Sequence, residues 1–152
     1  MPKIDMSKAP ERKGTGYPPP YDRPCLERVR KRLGDAGGLT QFGVNLLTLP
    51  PGVWSAQRHW HSGEDEFIMV VAGQVTLVDD HGETTLLAGD CAAFPKGDGN
   101  GHHLVNRSHV TATVIEIGTR SNDDVCLYPD IDLKIEAGGG FTRRDGTPYP
   151  AG

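Results

Sequence analysis

RHWHSGEDEFIMVVAG, residues 58–73, sets His59 and His61 two apart and then runs into β-prone, apolar residues. Side chains alternate along a strand, so both imidazoles fall on one face and can share one ion. A tight turn at Ser62-Gly63 would bring Glu66 back beside them on the following strand. A third histidine comes from GDCAAFPKGDGNGHHLVN, residues 89–106, at His102 or His103. Neighbours on a strand face opposite sides, so only one of that pair points inward with the others.

Outward from these stretches, the chain from Leu39 onward is a series of short β-prone runs: VNLLTL, EFIMVVAG, QVTLVDD, ETTLLAG, CAAFP, HHLVN and TATVIEIG. Turn signals separate them at Pro50-Pro51-Gly52, Ala72-Gly73, Asp80-His81-Gly82, Ala88-Gly89-Asp90 and Gly97 to Gly101. Such spacing predicts an all-β antiparallel sandwich or barrel. Leu26 to Leu33 suits either a helix or a strand. Residues 1–24 carry six prolines and little apolar content, which reads as an arm that either crosses a partner subunit or stays unordered. After Arg120 loop chemistry returns, although Ile131, Leu133 and Ile135 alternate as in one more strand.

Both histidine stretches resemble the two motifs of the cupin superfamily, G(X)5HXH(X)3,4E(X)6G and G(X)5PXG(X)2H(X)3N. Gly52, His59, His61, Glu66 and Gly73 match the first, with six residues instead of five between Gly52 and His59. Gly89, Pro95, Gly97, His102 and Asn106 match the second, with four residues instead of two before His102. The spacing to Asn106 favours His102 over His103. The resemblance covers about residues 39–120 and implies a double-stranded β-helix, the cupin jelly-roll barrel. Composition and turn chemistry, not the resemblance, divide the chain into a Pro-rich arm (1–24), the β-barrel (25–136) and an irregular tail (137–152).

The resemblance also implies one divalent transition-metal ion on His59, His61, Glu66 and His102. Three imidazoles and a carboxylate suit zinc, iron, manganese, nickel or cobalt, and four ligands on a six-coordinate ion leave two positions open. PKGDGNGHHLVNRS with the later IEIGTR and YPDIDL is similar to a subgroup of small single-domain cupins, some labelled sugar-phosphate isomerases. The expected activity is thus isomerisation of a sugar or sugar phosphate. An iron-dependent dioxygenase and a non-catalytic sensor that binds a small molecule are the alternatives. Gln57 and Ile68 share the inward parity of the ligands and are expected as pocket walls with His103. A catalytic base is not singled out: His103, Glu116 or a metal-bound hydroxide could each serve.

A net charge of −4 and a short basic cluster at Arg28, Arg30, Lys31 and Arg32 without aromatic neighbours argue against nucleic acid. That cluster reads as a solvated strand edge, and steering of an anionic substrate is its other reading. Arg58, Lys96 and Arg107 lie near the motifs, with Arg58 facing out by parity. Apolar runs are too short to cross a bilayer and no leader is expected, which predicts a cytoplasmic protein. Cys25, Cys91 and Cys126 are odd in number and widely spaced, which suits reduced structural thiols. Edge strands left open to pairing predict a homodimer.

Overall fold

The computed structural model describes residues 2–150, and strands carry most of their regular structure. In chain order these are β1 (Glu11–Lys13), β2 (Val29–Arg32), β3 (Phe42–Leu49), β4 (Trp60–His61), β5 (Glu66–Ala72), β6 (Gln74–Asp79), β7 (Gly82–Leu87), β8 (Cys91–Phe94), β9 (His103–Val105), β10 (Ala112–Thr119), β11 (Cys126–Leu127), β12 (Lys134–Ile135) and β13 (Phe141–Thr142). A six-stranded sheet has the order β1-β2-β3-β10-β5-β8, a four-stranded one β13-β12-β11-β4, and a three-stranded one β7-β6-β9. All pairings are antiparallel.

Alternation along β5 shows how the sequence builds the layers. Ile68 and Val70 are buried, whereas Phe67, Met69 and Val71 stand on the outer face. The inner residues meet Leu47, Leu49, Val114, Val75, Leu86 and Leu104 in one core between the six- and three-stranded sheets. Each such side chain contributes about 1.5–3 kcal/mol by leaving water. At the β5–β6 turn Gly73 has φ +73°, and a Cβ there would lie 2.9 Å from the Thr111 carbonyl. Only glycine fits that turn.

The all-β jelly roll expected from sequence is present, but its ladders do not close into a ring, so of the sandwich and the barrel the structure takes the sandwich. The fold is a sandwich-like jelly roll whose smaller sheets are linked at isolated bridges, Trp54 to Val105 and His59 to His102.

Both ends fold onto their own chain. β1 pairs with β2, and Tyr17 is buried with Cys25, Cys126, Tyr128 and Leu133 in a second core that Phe141 and Tyr149 from the tail complete. The arm is thus ordered on this subunit, because Tyr17 and Tyr21 anchor a segment that its prolines alone would not. Leu26–Leu33 resolves mainly as β2, with a helix only at Leu33–Ala36. Among the described residues, no helix is long and apolar enough to cross a membrane.

Candidate metal centre

An antiparallel bridge sets His59 opposite His102, with His59 N–H donating to the His102 carbonyl at 3.1 Å and the reverse bond at 2.9 Å. β4 places His61, and the first residue of β5 is Glu66. In each of the three imidazoles Nδ1 faces an acceptor. His59 Nδ1–H donates to the Gln57 carbonyl (2.8 Å), His61 Nδ1–H to Asp124 Oδ2 (2.7 Å) and His102 Nδ1–H to the Asn100 carbonyl (3.3 Å). None of these partners can donate, so the network assigns the proton to Nδ1 and the lone pair to Nε2.

All three Nε2 atoms converge on Glu66. His59 Nε2 lies 3.4 Å from Oε1, His102 Nε2 lies 2.9 Å from Oε2, and His61 Nε2 also contacts Oε1. Three lone pairs facing a carboxylate repel one another unless a cation lies among them. A proton is one such cation. Burial alone would lower the His61 pKa, but Glu66 and then Asp124 raise it to about 9. Burial would raise Glu66, yet His102, His59 and His61 hold it far below the usual carboxylate range. The donor set therefore fits a divalent ion, by the chemistry of three neutral imidazoles and one carboxylate. Donor atoms of His59, Glu66 and His102 all lie within 4.8 Å of one another.

Several supporting residues gave no signal in the sequence. Asp124 reaches His61 from the loop before β11 and also accepts the Gly63 N–H at 2.8 Å. The Phe94 ring stacks on His102 at 3.5 Å with an interplanar angle of 3°. Cys126 offers Sγ within 4.8 Å of His59 and His61, though burial pushes its thiol pKa well up. The spacing of 60 residues or more between Asp124 or Cys126 and His61 hides both from any local pattern.

A cavity of about 600 Å³ opens over the centre, and His59, His61, Glu66, His102, Ile68 and His103 are in its wall. His103 packs edge-on against Trp54 and donates Nδ1–H to the Ala56 carbonyl (2.8 Å), while His102 is the one beside Glu66. Gln57, expected in the wall, instead donates its amide to the Tyr21 carbonyl at 2.8 Å and fastens the arm. Arg58 is committed elsewhere: it forks onto Asp130 at 2.8 Å, meets Asp80 and donates to the Gly101 carbonyl. Arg107 pairs with Glu83 at 2.7 Å.

The basic cluster is only in part a solvated edge, since Arg32 is exposed while Arg28 is buried and Arg30 half-buried. Arg28, Arg30 and Arg32 all line the cavity. Arg30 forks onto Glu116 at 2.8 and 3.3 Å.

An antiparallel jelly roll with three histidines and a glutamate at its seam is the architecture of a cupin, and residues 45–118 match the family model described as Cupin domain. A solved structure from Silicibacter pomeroyi, described as a sugar phosphate isomerase from a cupin superfamily, is 48% identical over 99% of this chain and 98% of that one, with a TM-score of 0.91. A second, from Acidithiobacillus ferrooxidans and provisionally named for the same activity, is 32% identical over 76% of this chain and 74% of that one, with a TM-score of 0.71. A Thermotoga maritima structure described as a predicted oxalate decarboxylase shares the fold at 18% identity and a TM-score of 0.60. No curated protein matches the sequence. The chain belongs to the cupin superfamily.

Proposed function

We propose that this cupin binds one divalent transition-metal ion on His59, His61, Glu66 and His102 and isomerises a small sugar or sugar phosphate. The observation that carries the reading is the convergence of three Nε2 lone pairs on the Glu66 carboxylate within one cavity. The relatives named as sugar phosphate isomerases support it. An ion there would supply Lewis-acid stabilisation of charge developing on substrate oxygens. The protein's own part is to hold the sugar between the sheets and to move a proton. Glu116, on the inner face of β10 opposite Ile68, lines the same cavity and holds Arg30 there.

Elemental analysis of untagged protein, beside His59→Ala and His102→Ala, tests the centre. One equivalent of metal in the wild type and loss in both variants is expected. The metal-loaded protein should then interconvert aldose and ketose forms of a sugar or its phosphate, read by proton exchange with deuterated water. Absence of metal after reloading with zinc, iron, manganese and nickel would overturn the reading. Oxygen uptake by iron-loaded protein without isomerisation would replace it with a dioxygenase.

A further inference from the structure

Arg28 is 7% exposed, yet no carboxylate lies within ion-pair distance of its guanidinium among the described residues. Its Nε–H donates to the Gly14 carbonyl at 3.0 Å and one Nη to the Ser55 carbonyl. These neutral acceptors hold the side chain in place without cancelling its charge. Burial first, and Arg30 beside it second, lower its pKa from the ordinary arginine value. A buried cation without a counter-charge is costly, and apart from the face of the Tyr17 ring, 5.8 Å away, nothing among the described residues offsets it by contact, which leaves room for an anionic ligand.

The neighbours deepen the imbalance. Arg12 of β1 and Arg30 of β2 are direct cross-strand partners, a like-charge pairing that weakens a sheet. Glu116 serves Arg30, and Arg12 has no carboxylate partner among the described residues. All three arginines line the same cavity as His59 and His102. These three guanidiniums share one carboxylate, and all three come from parts of the chain that the metal motifs do not include.

From this we propose that Arg28, with Arg12 and Arg30, forms an oxyanion subsite that takes the anionic group of a substrate whose hydroxyl-bearing end lies at the metal centre. The inference rests on the isomerase reading above and names which end of the substrate is recognised by what. Guanidinium forks match both phosphate and carboxylate, so the shared chemistry is a planar fork on an oxyanion. The N-terminal arm is then part of the substrate site, since Gly14 positions Arg28 and β1 supplies Arg12.

Calorimetric titration of the full chain with inorganic phosphate, and separately with malonate, tests this. Saturable binding of at least one is expected, and the tighter ligand identifies the source of the oxyanion. Arg28→Gln should weaken that binding at least tenfold and Arg12→Gln severalfold, while Arg107→Gln, a surface cation paired with Glu83, should leave it unchanged. The Arg12 variant keeps the test decisive if the buried Arg28 variant does not fold. Binding should persist in His102→Ala. Loss in His102→Ala with retention in the arginine variants would place the anion on the metal and overturn the subsite. Failure of both anions to bind metal-replete protein would also overturn it while leaving the metal centre standing. Binding at the arginines by protein that takes up no metal would sink the isomerase reading alone.

Discussion

Asp124 Oδ2 sits 2.7 Å from His61 Nδ1, and Oδ1 of the same carboxylate takes the Gly63 N–H, so one side chain fixes both a metal-ligand candidate and the turn that follows it. Carboxylates behind ligating histidines set the tautomer and make the imidazole more basic. Asp124→Ala is expected to weaken metal binding by roughly 10–100-fold, measured by competition with a chelator. Asp124→Asn, which still offers an oxygen to Nδ1–H, should recover part of the loss. Equal affinity in all three proteins would remove Asp124 from the centre.

Asn106, the last residue of the second motif, is fully buried and touches no ligand of the centre. Its amide donates to the Leu49 and Val110 carbonyls at 2.8 Å each, and Oδ1 accepts from the Ser108 N–H and hydroxyl. Replacement by alanine strands those backbone groups, which costs about 1–3 kcal/mol for each one left unpaired. Urea unfolding should show Asn106→Ala destabilised by about 3 kcal/mol, with the metal content of the folded protein retained.

Tyr17 tests whether the arm belongs to the fold. Its ring meets Tyr128 edge-on at 5.7 Å, and its hydroxyl accepts the Gln57 backbone N–H at 3.3 Å. Tyr17→Ala is expected to destabilise by about 3–5 kcal/mol, the range for emptying a large buried aromatic site. A change below about 1 kcal/mol in thermal or urea unfolding would mean that the arm is dispensable.

Thiol chemistry gives a pH-dependent readout. Cys25 and Cys126 are buried and Cys91 is exposed. Burial pushes the Cys25 thiol to about 11 and Cys126 further up. A thiol reagent at pH 8 should modify Cys91 alone in the native protein and all three cysteines in urea. For Cys25 the folded pKa lies above the unfolded 9.0, so between about 9 and 11 the unfolded chain holds fewer protons. Stability is therefore full below pH 9 and falls as pH rises through that window. Rising stability over the same interval would contradict this.

Legibility in the sequence followed the range of the interactions. Alternation in EFIMVVAG fixed the buried face of β5, and HxH spacing placed two imidazoles together, because both are properties of a single strand. His102 could be preferred to His103 only through its spacing to Asn106, and parity then separated them in space. Asp124 and Phe94 were invisible as partners of the histidines, since nothing local distinguishes a carboxylate in NDD or a phenylalanine in CAAFP from its neighbours. The inward part of the basic row is hidden for a related reason. Charge in a short run suggests solvent, and only the placement of β2 between β1 and β3 shows that Arg28 and Arg30 point inward.

The last sheet, β13-β12-β11-β4, ties residues of the centre to the far end of the chain. Cys126 pairs with His61, and β12 and β13 complete the ladder only at Thr142. During synthesis His59, His61, Glu66 and His102 emerge well before the segment that braces His61. A nascent chain halted near residue 120 would carry every imidazole yet lack Asp124 and the second core. The support behind His61 is thus timed by translation: Asp124 and Cys126 reach it only after the rest of the site has been made, and β12 and β13 close the ladder behind them last.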